Sequence, residues 1–261
     1  MKTLLLTSEQ GYGDIIVMAR YVSVIKSKWP TCKVWFYGQT LIHGLMLGAG
    51  CDEVFDCIHE PSGMVSLADG PLKTYDYHCP LMSLPHRFGT TPDTVPAGRY
   101  IAVPIERISI ASEQRRIGIV WAGSPRHGKD AWRSIEPESF QPIIDAHPDF
   151  KFYSLQVGPR QHEVSRLRGV VDMAGEIGKI GDWTATAEVL QQLDLLISVD
   201  TACVHLAGAL GVPVWMLCPS SPDFRWGLSG ETTPWYPSMR IFRQPKEGDW
   251  KSVLNRINDA L

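Results

Sequence analysis

The stretch that decides the fold is LLISVDTACVHLAGALGVPVWMLCP, residues 195–219. An apolar run ends at Asp200, a helix-like segment begins at once, Gly211 stops it, and a second apolar run follows Val212-Pro213. Strand, turn, helix and strand in this order form the repeating unit of a parallel α/β sheet. Asp200, Thr201 and His205 stand where such a sheet opens onto a ligand. Thr201 and His205 are four apart and share a helix face, while Leu206 and Leu210 supply its buried stripe. A helix that starts just past a strand's carboxyl end presents unpaired N–H groups and a positive dipole end, so this turn reads as a phosphate or diphosphate site. The alternative, Asp200 as a helix N-cap and His205 as an ordinary packed or surface histidine, stays open at this point.

Outward from that unit the same alternation recurs. The spacing predicts strands at Lys2–Ser8, Lys33–Gly38, Asp52–Asp56 and Tyr75–Cys79, with a Gly/Pro-broken stretch before the last. Ile15–Trp29 carries apolar residues at 15, 18, 19, 22 and 25, a helical period that Pro30 ends. Residues 86–114, with prolines at 92, 96 and 104, read as a junction. The pattern then restarts, with strands expected at Arg116–Ala122, Phe150–Val157 and Val170–Met173 and helices at Pro137–Ala146, Pro159–Arg168 and Trp183–Gln192. Residues 220–248 read as a Trp/Pro-rich loop region in which Trp226 and Trp235, like Trp250 beyond it, are read as packing residues, with stacking on a nucleobase or sugar as the alternative, and 249–261 as a C-terminal helix. The expected fold is therefore α/β, with two Rossmann-like doubly wound domains (1–110 and 111–248) facing each other across an interdomain cleft.

Bulk properties narrow the function. A 261-residue chain is comfortable for two domains, and 44% hydrophobic with 20% charged residues is globular composition. A net charge of −3 argues against a dedicated nucleic-acid binder. Six cysteines without a CxxC pair read as free thiols in a reducing compartment. Neither a signal peptide nor an apolar run of about 18 residues is present, so a cytoplasmic protein without a membrane span is expected.

Three loops carry the candidate chemistry. EQGYGD, residues 9–14, offers Gly11 and Gly13 but Ile16 at the third fingerprint position, and no acidic residue ends the second strand. A nicotinamide or flavin site is thus disfavoured. What remains is a glycine turn and a carboxylate, Asp14, at a helix start, where an N-cap is the plainer reading. GSPRHGKDAWRS, residues 123–134, supplies Ser124, Arg126, His127, Lys129, Arg133 and Ser134 as phosphate donors, and SLQVGPR adds Gln156 and Arg160. His78 sits at a strand end and is a candidate for the cleft, weighed against a packed histidine. A carboxylate on one wall and cations with N–H donors on the other suit displacement of a diphosphate from an activated sugar. No DxD pair ends a strand, so no metal is expected.

Gly-Tyr-Gly-Asp at the first turn together with DTACVHLAGALGVPVW resembles the heptosyltransferase-like group of GT-B glycosyltransferases, glycosyltransferase family nine. The similarity is closer still to the glycosyltransferase domains that follow tetratricopeptide repeats in bacterial proteins. It extends through EQGYGDIIVMARY (9–21), YHCPLMSLPHRFGTT (77–91), WAGSPRHGKDAWRSI (121–135), SLQVG (154–158) and PDFRWGLSGETTPWYPSMRIFRQPKEGDW (222–250). The resemblance implies an acceptor-side N-terminal domain, a donor-side C-terminal domain and metal-independent inversion at the anomeric carbon. It also implies a last helix, 249–261, that crosses back onto the N-terminal domain. By the same resemblance Asp14 matches the general base, Asp200, Thr201 and His205 the donor-binding motif, and Arg133 and Ser134 the basic loop at the diphosphate. A nucleoside diphosphate sugar would be the co-substrate with no other cofactor, and the acceptor is open among a glycan, a protein, a small molecule or a modified nucleobase. One departure stands out: Val157 occupies the position of a lysine that meets the donor phosphates in the related domains. That removes a charged hydrogen bond of roughly 1.5–3 kcal/mol. Either Arg160, Lys129 or Arg126 compensates, or the donor or the activity differs. Two alternatives follow, an epimerase or hydrolase of the same fold and a non-catalytic nucleotide-sugar binding module.

Overall fold

A computed structural model of the chain describes residues 1–57 and 74–261; the Gly/Pro-broken stretch before the fourth strand lies outside the described residues. In chain order the elements are β1 (Thr3–Thr7), α1 (Tyr12–Lys28), β2 (Lys33–Gly38), α2 (His43–Gly48), β3 (Glu53–Asp56), β4 (Tyr77–Pro80) and α3 (Leu84–Arg87). After the junction come β5 (Arg115–Val120), α4 (Asp130–Arg133), α5 (Gln141–Ala146), β6 (Phe150–Ser154), β7 (Val170–Asp172), α6 (Ala174–Ile180) and α7 (Trp183–Leu190). The chain ends with β8 (Leu195–Val199), α8 (Ala202–Leu210), β9 (Val214–Cys218), β10 (Met239–Arg243) and α9 (Trp250–Ala260).

All strand pairs are parallel, in two sheets ordered β3-β2-β1-β4 and β10-β9-β8-β5-β6-β7. The larger sheet has the doubly wound order, with its topological switch point between β5 and β8; the smaller reproduces the first four strands of that order, with its switch point between β1 and β4. The fold is α/β of the GT-B kind, and ligands of such sheets bind beyond the strands' carboxyl ends at these points.

Burial explains the layering. Every residue of β8 is buried, as expected of a central strand covered on both faces. Helix α8 is buried at eight of its nine positions and α1 at nine of seventeen, because these two helices pack on one another between the sheets. One apolar core consequently runs from Leu6, Ile16 and Tyr21 of the small lobe through Val204 and Leu206 to Trp226 and Tyr236 of the large one. A second core covers the far face of the larger sheet with Ile119, Phe140, Phe152 and Phe242. The junction is tied down along its length: the N–H groups of Glu106, Arg107 and Ile108 donate to the buried Glu188 carboxylate at 2.8–3.2 Å. Tyr100 N–H donates to the Ala209 carbonyl of α8.

Three expectations are corrected. The C-terminal helix does not cross back onto the N-terminal sheet; α9 places Val253, Leu254 and Ile257 in the second core, beside Phe140 and Phe242 of the larger lobe. The reason is β10, which lies inside the predicted loop and delivers the chain to the edge of the larger sheet only a short connection before α9. Helix α6 was not foreseen, and the helix expected over 159–168 is a 3₁₀ turn at Gln161–Arg166.

Candidate functional site

The two switch points face one seam. There the first turns of α1 and α8 meet so closely that a Cβ at Gly13 would lie 3.0 Å from His205 Cδ2 and 3.7 Å from the Ala202 backbone. Glycine at 13 is thus a close-approach residue. Gly11 is the exposed N-cap of α1 at an ordinary extended φ of −71°. Two positive helix ends converge on the seam, an arrangement that favours negative charge there.

Asp14 lies in the first turn of α1 but is not a cap: its Oδ1 accepts from Arg225 Nη2. Arg225 is only 7% exposed, lies 4.6 Å over the Phe224 ring, and donates from Nη1 to Asp223 Oδ1 at 3.0 Å. Its buried Nε finds no acceptor among the described residues. The next residue, Trp226, donates from Nε1 to Asp200 Oδ2 at 2.9 Å. Adjacent residues of one turn therefore hold two carboxylates, Asp14 in the first turn of α1 and Asp200 just past the end of β8.

Asp200 is likewise no N-cap; Thr201 occupies that position with extended backbone and no side-chain capping bond, its Oγ1 3.4 Å from Ser198 Oγ. Burial pushes the Asp200 carboxyl above its ordinary range, and Trp226 with the Arg133 and Arg225 guanidinium groups only partly reverses this. His205 is buried, shares a 3.0 Å hydrogen bond with Tyr236 Oη, and stacks on Trp226 at 5.2 Å. Burial first, then Arg225, Arg20 and Arg133, hold its proton affinity far below an ordinary histidine's, so it acts as a neutral donor–acceptor. Trp226 thus does more than pack, a role its place in a Trp-rich tail does not announce.

The basic loop divides. Arg133 stands at the switch point: its guanidinium lies flat on Gly123, where a Cβ would meet Cζ at 2.6 Å, and Nη1 donates to the Asp200 carbonyl at 2.9 Å. Ser134 Oγ accepts from Gly123 N–H and donates to Asp130, bracing the same loop. Ser124 and Lys129 are exposed at its rim. Gln156 is buried and fully engaged, accepting from the N–H groups of Trp121 and Ala122 and donating to the carbonyls of Ala122 and Val157. It braces the loop after β5 from within. Arg160 is paired with Glu163 and Glu136, so this one of the three cations named as stand-ins for the missing lysine at Val157 already has carboxylate partners. His78 sits on edge strand β4, bonded to Thr7, beside a cavity of about 240 Å³ lined by Leu4, Ile25, Lys28, Trp29 and Phe88.

Arg225, Asp223 and Tyr236 were not singled out from the sequence. Their signal is faint, since the Tyr236 partner His205 lies 31 residues away and the Arg225 partner Asp14 lies 211 away in the other lobe, while Asp223 matters only through Arg225. Arg20 was missed too: it is buried with no carboxylate partner among the described residues, donating to the carbonyls of Pro96 and Trp235 among the rings of Tyr100, Trp235 and Tyr236. Among the described residues no group of three or more His, Cys, Asp or Glu is arranged to hold a metal, and no helix is long and apolar enough to cross a membrane.

Comparison with known proteins places this geometry. No family model matches the chain. It is 29% identical over 150 residues to Protein FlbA of Caulobacter vibrioides, a match covering 56% of this chain and only a quarter (25%) of FlbA. A glycosyl transferase family 9 structure from Veillonella parvula superposes with a TM-score of 0.65 at 13% identity, covering 98% of this chain and 89% of that one. The E. coli ADP-heptose LPS heptosyltransferase II gives 0.63 at 14% identity over 100% and 99% of the two chains. E. coli heptosyltransferase WaaC, solved with ADP-2-deoxy-2-fluoro heptose, gives 0.61 at 14% over 99% of each. The chain therefore carries the GT-B fold of the glycosyltransferase family nine heptosyltransferases.

Proposed function

We propose that this chain transfers a glycosyl group from a nucleoside diphosphate sugar to an acceptor hydroxyl. The observation that carries the reading is the convergence of Asp14 and Asp200, from two separate sheets, on one seam where two helix N-termini and Arg133 also meet. The 1–110 unit would take the acceptor and the 111–248 unit the donor. Asp14 accepts the acceptor's proton as the acceptor oxygen bonds the anomeric carbon, and the bond to the diphosphate breaks with its electron pair on the leaving group. As a single displacement the step inverts the anomeric centre, and helix N–H groups with Arg133 oppose the developing charge in place of a metal. One structural neighbour, E. coli heptosyltransferase WaaC, was solved both with ADP and with ADP-2-deoxy-2-fluoro heptose, which supports a nucleoside diphosphate sugar as donor class. Cys51, Cys203 and Cys218 are buried free thiols, which fits a reducing cytoplasm.

The test is release of nucleoside diphosphate from a panel of ADP-, UDP- and GDP-sugars, with glycan, peptide and small-molecule acceptors. Asp14→Asn is expected to lower kcat by about 10²–10⁴ while nucleotide affinity, measured by calorimetry, holds. Release without any acceptor would indicate a hydrolase, and affinity without release under any pairing would indicate a binding module.

A further inference from the structure

Arg225 is a buried side chain of the seam to which the transfer reading gives no task. Asp14 has little else to orient it. The N-cap of its helix is Gly11, which has no side chain to offer, and among the described residues Arg225 is the only hydrogen-bond partner of the Asp14 side chain. Arg225 itself cannot follow the carboxylate about. It is anchored by Asp223, by the Phe224 ring beneath it, and by Thr233 Oγ1 on its own carbonyl at 2.9 Å. The residue after it is bonded to Asp200, so the turn at 223–226 fixes the distance between the two carboxylates.

The pair is poorly built for stability. Asp14 remains 28% exposed, and Arg225 keeps a buried Nε with no acceptor among the described residues. A largely buried ion pair carries a desolvation cost that can exceed its attraction, and an unmet buried donor costs free energy as well. We propose that Arg225 is the positioning residue of Asp14, holding Oδ1 so that Oδ2 faces the incoming hydroxyl at the inter-lobe seam. This rests on the transfer reading. In the step described above, the acceptor proton goes to Oδ2 while Oδ1 stays on the guanidinium. The guanidinium neither takes nor gives a proton.

The experiment compares wild type, Arg225→Gln, Arg225→Lys, Asp14→Asn and the double variant Asp14→Asn/Arg225→Gln, with kcat and donor KM read from nucleoside diphosphate release over the sugar panel. Losing the orientation of a reacting group costs about 100-fold, so Arg225→Gln should lower kcat on that order with donor KM changed less than about threefold. Lysine restores the charge but not the planar fork, and part of the activity should return. Because Arg225 acts through Asp14, the double variant should turn over no more slowly than Asp14→Asn alone. Urea unfolding of the same set supplies a readout free of turnover: the single effects on the unfolding constant should be non-additive. Should Arg225→Gln fail to fold, Arg225→Lys carries the kcat-against-KM comparison. Wild-type kcat in Arg225→Gln, or a fully additive loss in the double variant, overturns the inference while leaving the transfer reading intact. Absence of release by the wild type with every donor overturns that reading and this inference together.

Discussion

Replacing Gly208 by alanine sets two effects of opposite sign against each other. Gly208 lies inside α8, where alanine is favoured over glycine by about 1 kcal/mol on helix propensity. The Tyr236 ring, however, lies flat on this glycine: a Cβ would come within 2.6 Å of Cγ and 2.8 Å of Cε1. Tyr236 cannot yield freely, being 1% exposed, hydrogen-bonded to His205 and 5.0 Å from the Arg20 guanidinium. Overpacking of this kind costs about 1–3 kcal/mol, and loss of the Tyr236–His205 bond about 1 kcal/mol more. The net expectation is destabilisation by about 1–3 kcal/mol. For 261 residues, an unfolding entropy of about 2.1 cal/mol/K per residue makes that a Tm lower by about 2–5 °C. Gly178→Ala in α6 is the control, since nothing lies within 4 Å of its Cβ position and propensity alone should raise Tm by about 1–2 °C. Circular dichroism melts of the three proteins decide the matter. A Tm for Gly208→Ala at or above wild type would refute the close packing of Tyr236 on α8.

Two further outcomes are expected. Burial alone would raise the Glu188 carboxyl, but the Arg107, Ile108 and Glu106 N–H groups and the Arg107 side chain pull it below its ordinary range. A depressed folded-state value stabilises above the unfolded-state range and is lost as pH falls through it, so Glu188→Gln should cost about 2–4 kcal/mol at pH 7 and flatten the acid limb of a stability–pH curve. The Cys51, Cys203 and Cys218 thiols are pushed up to about 12 by burial, so at pH 8 the native chain should react with a thiol reagent at no more than three of its six cysteines. All six should react in denaturant.

Local pattern carried the larger part of the fold. The run 195–219 folds as β8, α8 and β9, with Gly211 closing the helix at φ +77°. The apolar period at 15–25 marks α1, and both helices sit where ligands of parallel sheets are met. The elements that escaped were those whose stability is tertiary. MRIFR at 239–243 interleaves arginines with apolar residues and reads as loop until β9 offers it an edge to pair with. Once that strand exists, the final helix has a surface of its own lobe to cover and no reason to cross over.

The site divides along the same line. Asp14, Asp200, Thr201 and His205 were visible because they fall at a strand-to-helix turn or in the first turn of the helix after it, and such units are written in a few consecutive residues. What they bond to was not visible. The partner of Asp14 lies 211 residues away and that of Asp200 lies 26 away, on neighbouring positions of one loop. Gln156 and Arg160 looked like ligand donors, but only the assembled loops show their groups already taken by Trp121, Ala122 and Glu163. Periodicity and turn chemistry, being short-range, let the amino-acid sequence determine the strands, the helices and the carboxylates at their ends. Which cation meets which carboxylate depends on how two sheets are brought together, and that was decided only by packing α1 against α8.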